Sequence, residues 1–251
     1  WCLPDDVAGL RTFALTMVEA VGGRVAAIKP QSAFFERHGS AGVAVLEETV
    51  AAATASGSVV ILDAKRGDIG STMAGYADAY LRDGGPLAAD ALTVSPYLGP
   101  DSLGPTLATA VAGGRGLFVL CLTSNPEGAA LQHAGGPATA PAVQVAQWAR
   151  EQNAVARAAG DAFGPVGLVV GATVGDAARD LGLDLDVGGV LLAPGLGAQG
   201  AGREELRRVF GDARGAVLAA ASRAVSAAGP DVTALRAAAS ATTLEATAAL
   251  R

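Results

Sequence analysis

Sulfur, histidine and aromatic side chains are all scarce in this chain. Its two cysteines, Cys2 and Cys121, cannot build a disulfide framework, and Cys121 lies inside an apolar strand pattern, so a reducing compartment is expected. The two histidines, His38 and His133, fall in loop patterns with no second histidine or acid at ligand spacing, so no metal site is predicted. Long hydrophobic runs are missing too: none approaches the roughly 20 residues of a spanning helix, and the first residues lack the basic-then-apolar order of a signal peptide. Basic charge is not in excess. A net charge of -6 argues against nucleic acid or an anionic membrane as a general partner, and any phosphate must be bound locally. A cytoplasmic protein is the expectation.

Hydrophobic residues are abundant, at 51% of 251 positions, enough for one large core, and a single domain over residues 1–251 is expected. Residues 5–20 carry carboxylates near their start and Val7, Leu10, Phe13, Ala14 and Met17 on one face, which predicts a helix. Apolar runs then alternate with helical patterns. The runs are Val25–Ile28, Val59–Leu62, Ala91–Val94, Leu117–Leu122, Val166–Val170, Gly189–Ala193 and Ala216–Ala220. The helices are predicted at 41–55, 72–82, 102–112, 141–159, 176–180, 203–210 and from about 231. Strands that alternate with helices pair in parallel through helical crossovers. Seven such units preceded by an orphan helix predict an α/β (β/α)8 TIM barrel whose first strand lies upstream of Trp1.

The chemistry concentrates in Val59-Val60-Ile61-Leu62-Asp63-Ala64-Lys65-Arg66-Gly67-Asp68. Four branched apolar residues read as a strand buried on both faces, yet they run directly into acid, base and acid. Side chains two apart on a strand point the same way, so Asp63 and Lys65 would project together from its C-terminal end, with Asp68 in the following loop. A solvated salt bridge is the plain alternative, and such pairs contribute little. The rest of the chain weighs against it. Barrel sites lie at the C-terminal ends of strands, where Lys29, Asp63, Lys65, Ser124, Gln199 and Arg223 all fall. Lys29, Asp63, Lys65 and Asp68 would form an alternating network, in which one pair at about 4 Å is worth roughly 4 kcal/mol at an effective dielectric near 20. Pro194-Gly195-Leu196-Gly197-Ala198-Gln199-Gly200 together with Arg223 reads as a phosphate grip of backbone N–H groups and a cation.

Asp63-Ala64-Lys65-Arg66-Gly67-Asp68-Ile69-Gly70 resembles the Asp-x-Lys-x-x-Asp signature of orotidine 5'-phosphate decarboxylases, and the wider set resembles their bacterial type 2 subgroup. That set comprises Lys29-Pro30-Gln31 with Phe34-Phe35-Glu36, Ser95 to Gly99, Thr123 to Gly128, Pro194 to Gly200, and Ser222-Arg223. The resemblance implies decarboxylation of orotidine 5'-monophosphate to UMP in pyrimidine biosynthesis, without metal or cofactor. It also implies roles. Lys65 protonates C6, Asp63 lies beside the departing carboxylate, and Lys29 links Asp63 to the ribose. Asp68 and Thr72 reach into the site of a partner subunit, which makes the enzyme a homodimer. Ser124 meets the pyrimidine edge, Pro194 lines the base pocket, and Gln199 and Arg223 hold the phosphate.

One departure is that the family's ribose-binding aspartate, in a Gly-x-Asp-Pro-His pattern on the first strand, has no counterpart in this numbering. Two other functions compete. One is a Mg2+-dependent sugar-phosphate decarboxylase or synthase of the same barrel group; the other is a catalytically silent barrel that binds a phosphate ligand.

Overall fold

The computed structural model describes residues 1–195 and 202–251. Among them, seven strands form one parallel sheet in chain order: β1 (Ala27–Ile28), β2 (Val59–Arg66), β3 (Ala91–Val94), β4 (Gly116–Leu122), β5 (Val166–Val170), β6 (Leu191–Pro194) and β7 (Val217–Ala220). The helices are α1 (Val7–Val21), α2 (Ala33–Glu36), α3 (Gly39–Ala55), α4 (Gly70–Leu81), α5 (Gly104–Ala112), α6 (Ala129–Gln132), α7 (Pro141–Ala159), α8 (Ala177–Asp180), α9 (Arg203–Phe210), α10 (Arg223–Ser226) and α11 (Val232–Leu250). Each neighbouring pair of strands is parallel, as the alternation with helices requires. Among the described residues β7 does not pair with β1, so the sheet curls without closing.

Strand periodicity sorts the core into two layers. Ile61, Ala91, Phe118, Val169 and Leu192 meet inside the curl, joined by the half-buried Ala27, Leu218 and Ala220 from its two edges. Their neighbours Val60, Leu62, Leu92, Val94, Leu117, Val119, Leu168 and Leu191 face outward into the core beneath the helices. Burial on both faces explains why these strands read as unbroken apolar runs. Each fully buried leucine contributes about 1.5–3 kcal/mol. A separate cluster of Ala20, Val21, Val225, Leu235 and Ala239 packs α1, α10 and α11 together, with Trp1 and Met17 against it. The Trp1 indole N–H donates to the Ser226 carbonyl at 2.7 Å, and Gly229 lies so close to its ring that a Cβ there would stand 2.1 Å away.

Helix ends follow local chemistry. Asp6 caps α1 by accepting from the Gly9 N–H at 2.9 Å, and Asp231 caps α11 through the Ala234 N–H at 2.8 Å. At the N-terminal end of the strands the wholly buried Asn153 of α7 donates to the Val166 and Val187 carbonyls and accepts from the Val166 N–H, at 2.8–2.9 Å. All of these contacts are structural.

Differences from the sequence reading bear on the site to different degrees. The first strand is Ala27–Ile28, and Val25 ahead of it packs with the helix cluster. The short helices α2, α6 and α10 were not expected from four-residue stretches that carry no periodicity. Most consequential, β2 does not stop at Leu62 but continues through Arg66, so the charged residues belong to the strand itself.

Candidate active site

All strands point the same way, so their C-terminal ends share one rim. On β2, Ile61 lies inside the curl, and the period of two carries Asp63 and Lys65 to the same side. The Lys65 ammonium donates to Asp63 Oδ1 at 2.5 Å, and Lys29, just beyond β1, donates to Oδ2 at 2.7 Å. Asp63 is only 7% exposed, so one buried carboxylate is held between two cations. Its backbone is equally fixed: the N–H donates to the Pro30 carbonyl at 2.9 Å, and its carbonyl accepts from Ser32 at 3.1 Å. Burial pushes the Asp63 carboxyl up, but the charges and hydrogen bonds of Lys29 and Lys65 outweigh it and hold the group below the usual carboxylate range.

The strand is distorted where these charges stand. Leu62 pairs with Leu92 and Arg66 with Val94, so three residues of β2 oppose Thr93 alone. Lys65 takes up the bulge at a φ of 49°, a left-handed conformation that costs a side-chain-bearing residue about 1–3 kcal/mol. Thr93 bridges the gap. Its hydroxyl accepts from the Lys65 backbone N–H at 3.0 Å and donates to Asp63 Oδ1 at 3.0 Å, and the residue is 1% exposed. Sequence reading passed over it as one more residue of an apolar strand. The available signal was a lone hydroxyl at an inward position one strand away from the Asp-x-Lys pair.

Arg66, the next residue, is clamped on the other side of the sheet. Its guanidinium pairs with Glu36 of α2, donates to the Tyr80 hydroxyl at 2.9 and 3.2 Å, and lies 5.4 and 5.5 Å from the Tyr76 and Tyr80 ring centres. Arg66 thereby anchors α2, β2 and α4 to one another. Gly67 then passes so near β3 that a Cβ would stand 2.5 Å from the Ser95 carbonyl.

The remaining predicted residues stand apart from this cluster. Asp68 is half-buried, and its Oδ1 accepts from the Ile69 N–H at 2.8 Å; among the described residues it makes no ion pair, so the expected four-charge network holds three members within one chain. Thr72 is exposed in the first turn of α4. Ser124 is exposed just beyond β4, on a loop tied down by Gln132 of α6. The Gln132 amide accepts from the Thr123 N–H at 2.9 Å and donates to the Thr123 hydroxyl at 2.7 Å. Pro194 ends β6 half-buried, and Arg223 is exposed at the start of α10, without an ion pair among the described residues. Gln199 lies outside the described residues.

The sequence matches the profile of the Orotidine 5'-phosphate decarboxylase / HUMPS family over residues 8–238. The chain belongs to that family. A Salinispora arenicola protein named orotidine 5'-phosphate decarboxylase is 59% identical over 239 residues, covering 95% of this chain and 84% of the relative. A Streptomyces coelicolor protein of the same name is 56% identical over 241 residues, with the same two coverages of 95% and 84%. Among solved structures, the Leishmania donovani OMP decarboxylase aligns with a TM-score of 0.75 at 30% identity, over 97% of this chain and 88% of that one.

In a curled parallel sheet of this kind, the rim of C-terminal strand ends is where chemistry is expected. A cavity of about 890 Å3 lies instead at the opposite end, lined by Arg157, Asp184, Arg208 and Asp212 among others, and shares no residue with the charged cluster. We assign it no part in the site. Among the described residues, no group of three or more histidine, cysteine, aspartate or glutamate side chains is arranged to hold a metal ion. The Cys121 thiol, buried and pushed up to about 12 by desolvation, is an inert core group.

Proposed function

We propose that this chain decarboxylates orotidine 5'-monophosphate to UMP and CO2 in pyrimidine biosynthesis, with no metal or cofactor. The observation that carries the reading is the Lys29–Asp63–Lys65 cluster, an ammonium held on a strained backbone beside a buried carboxylate. In this scheme the C6–carboxylate bond breaks and leaves its electron pair on C6. Lys65 Nζ then gives its proton to that carbon and is reprotonated from solvent. Its positive charge, already in place, stabilises the developing anion with no reorganisation at the moment of reaction. Asp63 sits beside the departing carboxylate and keeps the two lysines in register, while Lys29 reaches the ribose. Ser124 reads the pyrimidine edge, Pro194 lines the base pocket, and Gln199 and Arg223 hold the phosphate. Binding energy gained at the phosphate can be used to order the site around the reacting carbon.

The assembly belongs to the same reading. Residues 1–251 form one domain of a closed (β/α)8 barrel, in which an eighth strand fits between β7 and β1. In support, among the described residues β1 and β7 each leave an edge unpaired there. Two copies form a cytoplasmic homodimer in which Asp68 and Thr72 complete the partner's site. In support, Phe34, Ile69, Tyr97 and Leu98 are exposed apolar residues in the segments that follow β1, β2 and β3.

The deciding experiment follows loss of ultraviolet absorbance of orotidine 5'-monophosphate with excess chelator present, for the natural protein and Lys65→Ala. Turnover that vanishes in the variant is expected. Turnover abolished by chelator would favour the Mg2+-dependent relatives, binding without turnover the silent barrel, and undiminished turnover by Lys65→Ala a different proton donor.

A further inference from the structure

We infer that Thr93 is the positioning residue of the charged cluster, holding at once the backbone of Lys65 and the carboxylate of Asp63. The inference rests on the decarboxylase reading and adds a residue to it. A threonine hydroxyl has a single proton. Because Thr93 Oγ1 already accepts from the Lys65 N–H, that proton is directed at Asp63 Oδ1, so the two hydrogen bonds fix one another's direction. The same Oδ1 receives the Lys65 ammonium, and the three groups close a small ring that spans the bulge. Three features indicate that this ring serves the site. The residue is buried and opposite the bulge, its partner is the one lysine of the strand, and that lysine carries a positive φ. Freed from Thr93, Lys65 can relax toward ordinary strand geometry, and its ammonium then leaves the position that faces the reacting carbon. Asp63 is faced by the Lys29 ammonium from beyond β1, the Lys65 ammonium from β2 and the Thr93 hydroxyl from β3. The hydroxyl fixes the carboxylate's rotation as well as adding a bond to it.

Thr93→Val keeps the shape and removes the hydroxyl, whereas Thr93→Ser keeps the hydroxyl. The valine variant is expected to lose kcat about 10- to 100-fold with KM within about threefold, because the lost interaction matters in the transition state and not in ground-state binding. The serine variant should recover most of that loss. A carbon-13 titration of the Asp63 carboxyl in the ligand-free protein should show a higher midpoint in the valine variant and not in the serine variant, since a donor to the ionised form has gone. Natural kcat in Thr93→Val, a change confined to KM, or a serine variant no better than valine would each overturn the assignment. Should the valine variant fail to fold, Thr93→Ala takes its place in every comparison. If the natural protein itself does not turn over the nucleotide, the decarboxylase reading fails on its own. The titration then still decides whether Thr93 holds Asp63: an unshifted midpoint overturns the inference and a raised one supports it.

Discussion

The two sides of the rim are built differently. At β1–β3, Lys29, Asp63, Lys65 and Thr93 are bound to one another through short contacts, around a carboxylate that water barely reaches. At β4 and beyond β7, the Ser124 and Arg223 side chains are exposed, and among the described residues neither has a side-chain hydrogen bond to a neighbour. The difference matches two kinds of task. Groups that must stabilise charge during a reaction are worth most when already oriented, because reorienting them would add to the barrier of that step. Groups that grip the remote ends of a ligand can stay solvated until it arrives, since their hydrogen bonds exchange with water.

If this division is right, substitutions on the interlocked side act on kcat and those on the open side act on binding. The largest effect is expected for Lys65→Arg, which keeps the positive charge but offers a guanidinium that does not give up its proton. We expect kcat to fall about 1,000- to 10,000-fold with KM little changed, measured by steady-state absorbance kinetics. Next comes Arg223→Ala, whose loss should appear in kcat/KM by about 100-fold or more, because phosphate binding energy also helps to order the site. An unchanged kcat/KM would remove Arg223 from the phosphate grip.

The third test separates stability from turnover. Asp63 is held below the ordinary carboxylate range, so its ion pairs stabilise the fold fully above the unfolded value of about 3.9 and lose that contribution as pH falls through the lower folded value. Asp63→Asn should therefore be less stable than the natural protein by about 1–3 kcal/mol at neutral pH, discounted for the partial exposure of Lys65. The gap should narrow only below pH about 4. Denaturant titrations across that range would show it, and a gap that is independent of pH would mean the ion pairs contribute nothing. The smallest effect is expected for Ser124→Ala, one hydrogen bond worth about 1 kcal/mol, seen as a rise in KM of roughly fivefold with kcat preserved.

The legibility of the site follows the same division. Lys29, Asp63 and Lys65 were readable because charge at the end of an apolar strand has no packing explanation, and the period of two already places Asp63 and Lys65 on one side. Thr93 was not, because a threonine is at home in any strand and only the bulge gives it two special partners. The anchoring role of Arg66 was not legible either, because its partners Glu36, Tyr76 and Tyr80 are distant in sequence. Asp68 shows the converse: spacing suggested a fourth member of the network, but beyond Gly67 the loop turns its carboxylate onto the Ile69 N–H.

By itself the sequence determined the parallel α/β architecture, the family and the strand that carries the chemistry, since these depend on local periodicity and on residue types out of place in a core. Tertiary structure alone decided how far β2 runs, where it bulges, which hydroxyl bridges the bulge and which charges touch. Those features depend on register between strands about 30 residues apart in the chain, such as Leu62 against Leu92, and no local pattern encodes that register.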